Sequence, residues 1–388
     1  MTSRTRLSVL LISTPVLAFV LVGGLMGKTK SADQHFQHLR VFDDVVSLVL
    51  NNYVEEVKVD RVMEGAMRGL ADGLDADSAY LSPKQVRAIE AGDRQPEGDV
   101  GLELTRQYYL RVIAARDGSP AAKAGLQTGD YVRAIDGKPT RDMSVFEGAR
   151  LLRGQPGSKV TLTVIRGNAA DPHDVPLVRE KASSPQVTAR TMGDAGYVRI
   201  AAFRDGVADD LRRQVSDLTR SGATSLIVDV RRTAEGSLEN GIEAARLFVK
   251  SGTLAVRTGR EGSAKETISA RQGDGGIDLP LVLLVTTGTA GAAELFAAAL
   301  DGNKRAELIG ERTLGRAGVQ KLVKLPEYRG LWLTYARYLA PGGEPIHGRG
   351  LEPDVAIEEP DVEFGAAAPE QDVILDAAIE RLRTKKAA

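Results

Sequence analysis

The chain has 388 residues, which is long enough for two or three domains, and 43% of them are hydrophobic, an ordinary value for a globular protein. Its formal net charge of −1 gives no reason to expect nucleic-acid binding, and the absence of cysteine excludes disulfides, thiolate metal sites and a cysteine nucleophile. With four histidines, a zinc site or a Ser-His-Asp triad would be hard to assemble, so we predict neither a metal nor a cofactor.

Residues 1–32 are predicted to be a signal anchor. A mostly apolar stretch, residues 7–27, is flanked by basic residues on both sides and has about the length that spans a bilayer. No small-x-small cleavage site closes this stretch, which favours an uncleaved anchor over a removed signal peptide. Both alternatives predict that the rest of the chain is exported.

Residues 33–94 carry apolar side chains at spacings of three and four, which predicts a helical segment. From residue 95 to residue 182 the pattern changes to short strands and glycine turns. Residues 118–126, GSPAAKAGL, and the Thr-Gly-Asp that follows at 128–130 resemble the signature of a PDZ domain of the bacterial exported type.

The resemblance to a PDZ domain implies binding of protein C-termini. Such a domain binds a peptide as an additional strand on a sheet edge and holds its terminal carboxylate on the backbone N–H groups of a Φ-Gly-Φ loop. Residues 100–102 fit that loop, since glycine lets the amides approach an anion closely. The helix near residues 144–152 has apolar side chains that either form the groove wall or face the domain's own core. The predicted groove residues are Val100, Gly101, Leu102, Leu104, Val145 and Ala149.

Residues 183–357 alternate strand and helix patterns, as expected of an α/β core. Residues 281–285, LVLLV, are continuously apolar and predict a buried parallel strand, and the Ala-rich segment 292–300 predicts a packed helix. A turn between such a strand and helix is a common place for a nucleophile, because free helix N–H groups lie beside it. Residues 358–388 predict a C-terminal amphipathic helix and tail.

Two motifs in this region match those of one family. Residues 289–294, TAGAAE, correspond to a Ser-Ala-Ser-Ala-Ser-Glu turn, and residues 313–320, TLGRAGVQ, correspond to T-F-G-K-G-x-V-Q, with the expected spacing of 25 residues between nucleophile and base. In these motifs the chain resembles the carboxyl-terminal processing peptidases (tail-specific proteases). The resemblance implies an α/β core of the ClpP/crotonase-like type that carries a PDZ domain, anchored in the inner membrane with most of the chain in the periplasm.

The same resemblance implies the positions of the catalytic groups and the role of the N-terminal segment. The nucleophile position is Gly291, the general-base position is Arg316 with Gln320 in support, and the oxyanion donors fall at Gly236 and Ala292. Residues 33–94 either help to form a homo-oligomer or act as a plain helical cap.

The chain departs from the family at three places. Glycine at position 291 has no attacking atom, and no serine follows Ser269, so no shift in register supplies one. Arginine at position 316 has a pKa above about 12 and cannot accept a proton. In the oxyanion loop, residues 233–235 read Thr-Ala-Glu in place of Asn-Pro-Gly, and a carboxylate there would oppose a developing negative charge.

We therefore predict a pseudopeptidase that binds the C-terminal tails of exported proteins without cutting them. An active serine-type endopeptidase is the alternative, and Thr289 is then a nearby hydroxyl, although we expect it to cap the following helix. His347 is predicted to be a loop histidine. Arg316 is predicted to form a structural ion pair with Glu294, Glu235 or Asp229.

Overall fold

The computed structural model describes residues 39–387, apart from 93–94, 168–170, 182–184, 261–262, 264, 361 and 367–368. The chain divides into two compact units between Leu70 and Ala71. In the first unit, residues 39–52 are helical (α1), and a second helix, α2 (Val59–Asp72), begins there. Among the described residues, no helix combines the length and apolar character needed to cross a membrane. The predicted anchor, residues 1–32, lies outside the described residues.

The second unit opens with strand β1 (Ala79–Leu81) and helix α3 (Pro83–Glu90). The prediction that residues 33–94 are helical is wrong for β1. All three of its residues are buried, and they pair antiparallel with a long strand of the core (β18, below). This partner is about 250 residues further along the chain, so tertiary pairing overrides the local helical pattern.

Residues 98–181 form a small antiparallel module. Its elements are β2 (Gly98–Asp99), β3 (Leu102–Gln107), β4 (Tyr109–Ala115), α4 (Pro120–Lys123), β5 (Tyr131–Ile135), β6 (Lys138–Pro139), α5 (Val145–Leu152), β7 (Lys159–Ile165), β8 (His173–Val178) and β9 (Glu180–Lys181). The main sheet has the order β3-β4-β5-β7-β8, so β3 lies at an edge. Helix α5 begins after Ser144, whose hydroxyl accepts a hydrogen bond from the Glu147 N–H and so satisfies a free helix donor.

Residues 187–387 form the α/β core. Its elements are β10 (Val187–Met192), β11 (Ala195–Ile200), α6 (Val207–Arg220), β12 (Ser225–Asp229), α7 (Leu238–Ala245), β13 (Thr253–Thr258), β14 (Glu266–Ser269), β15 (Leu281–Val285), α8 (Ala292–Gly302), β16 (Ala306–Gly310), β17 (Gly318–Lys324), β18 (Gly330–Leu339), β19 (Val355–Ala356) and α9 (Val373–Ala387). One sheet has the order β10-β11-β12-β15-β16-β19 and is parallel except for β10. A second sheet contains β1, β18, β13 and β14, with β17 paired to β18.

Helices cover both faces of the parallel sheet, which explains why its strands are continuously apolar. Leu226 and Val228 pack with α6, α7 and α8 on one face, whereas Ile227 between them packs with α9 on the other. The segment before α9 crosses the small module, where the Phe364 ring stacks on His173 with 4.5 Å between ring centroids. The predicted buried strand at 281–285 and the packed helix after it are both confirmed.

Candidate active site

The turn between β15 and α8 has the backbone of a nucleophile turn without a nucleophile. Gly291 precedes the first helical residue, Ala292, and has φ 64° and ψ −119°. A positive φ of this kind is costly for any residue with a Cβ and is found where a strained strand-to-helix turn exposes a nucleophile. A Cβ built at position 291 would have its nearest neighbours at 3.7–3.9 Å, which are ordinary contact distances. The position therefore has room for a side chain but carries none.

Glu294 fixes the nucleophile turn relative to the loop that holds the base position. Its side chain is fully buried and accepts hydrogen bonds from the backbone N–H groups of Gly291 (3.1 Å), Gly315 (2.6 Å) and Arg316 (2.7 Å), and from the Thr313 hydroxyl (2.5 Å). Burial raises the pKa of Glu294, and the hydrogen bonds oppose this rise. The two loops are thus held together by a residue that is not itself at the nucleophile, base or oxyanion position.

The side chain of Arg316 is held by two carboxylates. Its Nε and one Nη lie 3.0 and 2.9 Å from Asp77 Oδ1, and its other Nη lies 3.5 Å from Glu103 Oε2. Burial acts to lower the pKa of Arg316, but Asp77 and Glu103 keep it above its usual value. The guanidinium remains protonated and cannot serve as a general base.

The predicted partners of Arg316 were wrong, because each of the three carboxylates has another partner. Glu294 binds the backbone of the loop and not the guanidinium. Glu235 Oε2 accepts a hydrogen bond from Arg116 at 2.8 Å. Asp229 accepts hydrogen bonds from Arg231 and Tyr197, each at 2.7 Å, and Arg231 also binds Asp372.

The two predicted oxyanion positions, Gly236 and Ala292, lie at the end of a loop beside Phe203 and at the start of α8. Phe203 N–H donates to the Glu235 carbonyl at 2.8 Å, and Phe203 forms a parallel bridge with Gly236. Ala292 is the first residue of α8, so its N–H has no acceptor within the helix. The Glu235 carboxylate, by contrast, is turned toward Arg116 of the small module.

Thr289 does not cap α8, contrary to prediction, since the helix begins three residues later. Its hydroxyl is fully buried, accepts from the Thr286 N–H at 3.0 Å and donates to the Val230 carbonyl at 2.9 Å. The hydroxyl therefore acts as an acceptor and as a donor within the fold, and it is not available to attack a substrate.

Gln320 and His347 lie together beside Gly318. A Cβ built on Gly318 would be 3.1 Å from Gln320 Nε2 and 2.9 Å from His347 Cε1. Gln320 donates to the Thr334 hydroxyl at 3.1 Å, so it stabilises the β17–β18 pair. His347 Nδ1 is buried without a hydrogen-bond partner among the described residues.

The predicted groove residues come together between β3 and α5. Gly101 has φ 74°, and a Cβ there would lie 2.3 Å from the Ser119 Cβ, so only glycine fits. Val145 both lines the groove and packs in the module's core, whereas Ala149 is not part of that core. All six predicted residues line one cavity: Val100, Gly101, Leu102, Leu104, Val145 and Ala149.

This cavity is shared with the core and is small. Its volume is about 90 Å³, and its lining includes Arg316, Glu235 and Ala234. Two further residues, Arg116 and Asp77, connect the module and the N-terminal segment to these positions and were not predicted from the sequence. Their charge was the only feature of the sequence that could have indicated this role, because Arg116 pairs with a residue 119 positions away and Asp77 with one 239 positions away.

Strand β4 covers the nucleophile turn. Ile113 and Ala114 of β4 form an apolar cluster with Ala290, and these three side chains are 1%, 3% and 0% exposed. Leu314, in the loop before Arg316, packs against the same cluster. The part of the turn next to Gly291, residues 288–291, is therefore buried, and the small module covers Ala290.

Comparison with known proteins supports this description. A model of peptidase family S41 matches residues 194–357, and a PDZ domain model matches residues 111–166. The chain is 30% identical to a carboxy-terminal-processing protease of Bartonella bacilliformis, covering 86% of this chain and 78% of the relative. It is 33% identical to a carboxyl-terminal-processing protease of Synechocystis sp., covering 78% and 72%.

A solved structure, the photosystem II D1 C-terminal processing protease, superposes with a TM-score of 0.68 at 29% identity, covering 80% of this chain and 85% of the other. The fold and the site thus define a peptidase scaffold that carries a PDZ domain. The chain belongs to the carboxyl-terminal processing protease family, peptidase family S41.

Proposed function

We propose that this protein binds the C-terminal tails of other proteins through its PDZ domain and does not cut them. The observation that carries the proposal is Gly291: the residue at the nucleophile turn has no side chain, so no acyl-enzyme can form there. The neighbouring hydroxyl of Thr289 is fully buried and both accepts and donates a hydrogen bond within the fold.

Two further features support the absence of cleavage. Arg316, at the base position, is a permanent cation between two carboxylates. Residues 233–235 stand in place of the family's Asn-Pro-Gly in the oxyanion loop, and the loss of a glycine restricts the backbone there. Together with Gly291, these changes remove the nucleophile and the base and alter the oxyanion loop.

Features of the PDZ domain support the proposal that the protein still binds C-terminal tails. Strand β3 lies at a sheet edge, which allows a peptide to add as another strand. Gly101 keeps the backbone of a carboxylate-binding loop, and the Arg116 guanidinium supplies positive charge beside it, since its Nη2 would lie 3.2 Å from a Cβ at Gly101. The apolar side chains of the groove favour apolar C-terminal residues.

We further propose that the partners are exported proteins and that residues 7–27 anchor the chain in the inner membrane with its bulk in the periplasm. The support is the apolar stretch, which has about the length that spans a bilayer, and the family resemblance, which implies a periplasmic location. Alkaline extraction of membranes and protease protection of spheroplasts test the anchor. Release of the chain by alkali would contradict it.

The central test compares binding with cleavage. The purified full chain is incubated with a fluorescein-labelled ten-residue peptide ending in Ala-Val-Val, and with the same peptide carrying a C-terminal amide. We expect the free acid to bind, the amide to bind much more weakly, and mass spectrometry to detect no cleavage of either. Turnover that disappears in Thr289→Ala would instead establish the alternative, an active endopeptidase.

A further inference from the structure

The turn between β3 and β4 carries a surface of tyrosines and arginines. Tyr108 is the only residue between the two strands, and its side chain is 62% exposed. Each tyrosine of the surface has a guanidinium over its ring, and the distance from the arginine Cζ to the ring centroid is 4.7 Å in one pair and 5.6 Å in the other two. The tyrosine–arginine surface consists of Tyr108, Tyr109, Tyr131, Arg111, Arg133 and Arg141.

The three arginines of this surface keep their positive charge without an ionic partner. Within the part of the chain that the structure describes, none of them forms an ion pair. Arg111 donates hydrogen bonds to the Gly129 carbonyl and to the Gln107 side-chain oxygen, whereas Arg133 and Arg141 are exposed and contact the tyrosine rings. Tyrosine and arginine are enriched among the residues that dominate binding interfaces, and unpaired cations favour an acidic ligand.

Tyr108 has a backbone conformation that bulky residues rarely adopt. Its φ is 71°, in the left-handed region, where such a residue is strained. Glycine or asparagine would form the same turn with less strain. Strain of this kind persists where the side chain has a function, so contact with a ligand explains the ring at position 108 better than the turn does.

The direction of a bound tail brings it to this surface. A peptide whose terminal carboxylate lies at Gly101, and which adds to the free edge of β3, must run from Gln107 toward Leu102. The six residues of β3 pair with about six residues of peptide, at roughly 3.4 Å per residue. The peptide residues at about the seventh to ninth positions from the C-terminus therefore pass Tyr108.

We infer that the tyrosine–arginine surface is a second recognition site for the tail and selects tails that carry acidic residues at about the seventh to ninth positions from the C-terminus. This inference rests on the proposed function and names the class of tail that the protein prefers. Exposed charge pairs are individually weak, so the surface adds selectivity to binding at Gly101 and does not replace it.

The test measures how unlabelled peptides displace the fluorescein-labelled Ala-Val-Val peptide from the full chain. Three twelve-residue peptides share their last six residues, which end in Ala-Val-Val, and carry three glutamates, three glutamines or three lysines at positions seven to nine from the C-terminus. We expect the glutamate peptide to bind about fivefold more tightly than the glutamine peptide, and the lysine peptide to bind most weakly. The difference should disappear in 1 M NaCl, where the Debye length is about 3 Å. A six-residue peptide with the shared ending should bind like the glutamine peptide.

Three variants assign the selectivity to the surface. Arg133→Gln and Arg141→Gln should each reduce the preference for glutamate by about half and leave the affinity for the six-residue peptide unchanged. The matched control is Arg190→Gln, because this guanidinium also lies 4.7 Å from a tyrosine ring, that of Tyr197, but belongs to β10 of the core. Tyr108→Asn should weaken binding of the glutamate peptide while its melting temperature stays the same or rises, since asparagine tolerates a positive φ.

The possible failures are distinguishable. Equal affinity for the three long peptides, with displacement by the six-residue peptide, would refute the second site and leave tail binding intact. No binding of the labelled peptide would refute the proposed function and the second site with it. A lower melting temperature of Tyr108→Asn would show that the ring stabilises the hairpin, and would overturn its assignment as a contact for the tail. Binding of a labelled single-stranded oligonucleotide that Tyr108→Asn abolishes, with equal affinity for the three long peptides, would refute the inference in favour of a nucleic-acid site.

Discussion

Replacing Gly291 with serine tests whether the nucleophile turn has kept its shape. The new Cβ meets no atom closer than 3.7 Å, so the cost is the positive φ of 64° and not a collision. Backbone strain of this kind costs about 1–3 kcal/mol. At about 2 °C per kcal/mol for a chain of this size, we expect Gly291→Ser to fold with a melting temperature lowered by roughly 2–6 °C.

Adding Arg316→Lys tests the base. The introduced lysine would face Asp77 and Glu103, which hold its pKa at or above the reference value of about 10.4, so at pH 7 roughly 1 molecule in 2,500 or fewer has the neutral amine. General-base catalysis contributes about 10²–10⁴-fold, so this protonation removes most of its benefit.

We therefore expect no hydrolysis above background by Gly291→Ser/Arg316→Lys. The assay combines a fluorogenic peptide substrate with labelling by a fluorophosphonate, which reports an activated serine directly. The matched control is the double variant with Gly291→Ala in place of Gly291→Ser. Peptide hydrolysis at rates comparable with active relatives, absent from this control, would refute the argument that the carboxylate environment disables the base. A fall in melting temperature far beyond 6 °C would contradict the conclusion that position 291 has space for a side chain.

Three further substitutions test contacts that hold the scaffold. Glu294→Gln places an amide among three N–H donors and should lower the free energy of unfolding by about 1.5–3 kcal/mol in urea titrations, the range for hydrogen bonds to a charged group; a loss below about 1 kcal/mol would contradict the role of this carboxylate. Burial raises the pKa of Asp372 but bonds from Arg231 bring it below its usual value, so its contribution is present above the unfolded pKa of about 3.9 and is lost as the pH falls through the folded value. Asp372→Asn should accordingly cost about 1 kcal/mol at pH 7, a small value because the side chain is 39% exposed, and its stability should converge with the unmodified chain in acid; a constant difference would contradict the pairing. Phe364→Ala removes the ring stacked on His173 and should increase amide exchange in β8 while β15 keeps its protection; equal exchange in both proteins would show that the stack contributes nothing.

The central strands of the core could be predicted because a parallel sheet that is covered by helices on both faces requires continuously apolar strands. Residues 281–285 are the clearest case. The positions of Gly291 and Arg316 could also be predicted, because each lies in a short motif with a fixed spacing. The same local patterns named six groove residues that the structure brings to one cavity, and Gly101 among them is required by its backbone conformation.

The partners of charged side chains could not be predicted. Arg316 pairs with Asp77, and Arg116 with Glu235, across separations that leave no periodic pattern in the sequence. Strand β1 was missed for the same reason, because its three residues become a strand only when β18 lies beside them. Thr289 was expected to cap α8 because threonine is a common cap residue, but the turn needed its hydroxyl two residues earlier than the cap position.

The position of Glu294 determines which residues of the site can change without disturbing its backbone. The geometry of a peptidase centre is maintained here by one carboxylate and three main-chain amides, none of which belongs to the groups that attack or transfer protons. The amides of Gly291 and Arg316 make these hydrogen bonds through the backbone, whatever side chain each position carries. The side chains at positions 291 and 316 can therefore differ between relatives while the backbone network and the architecture persist.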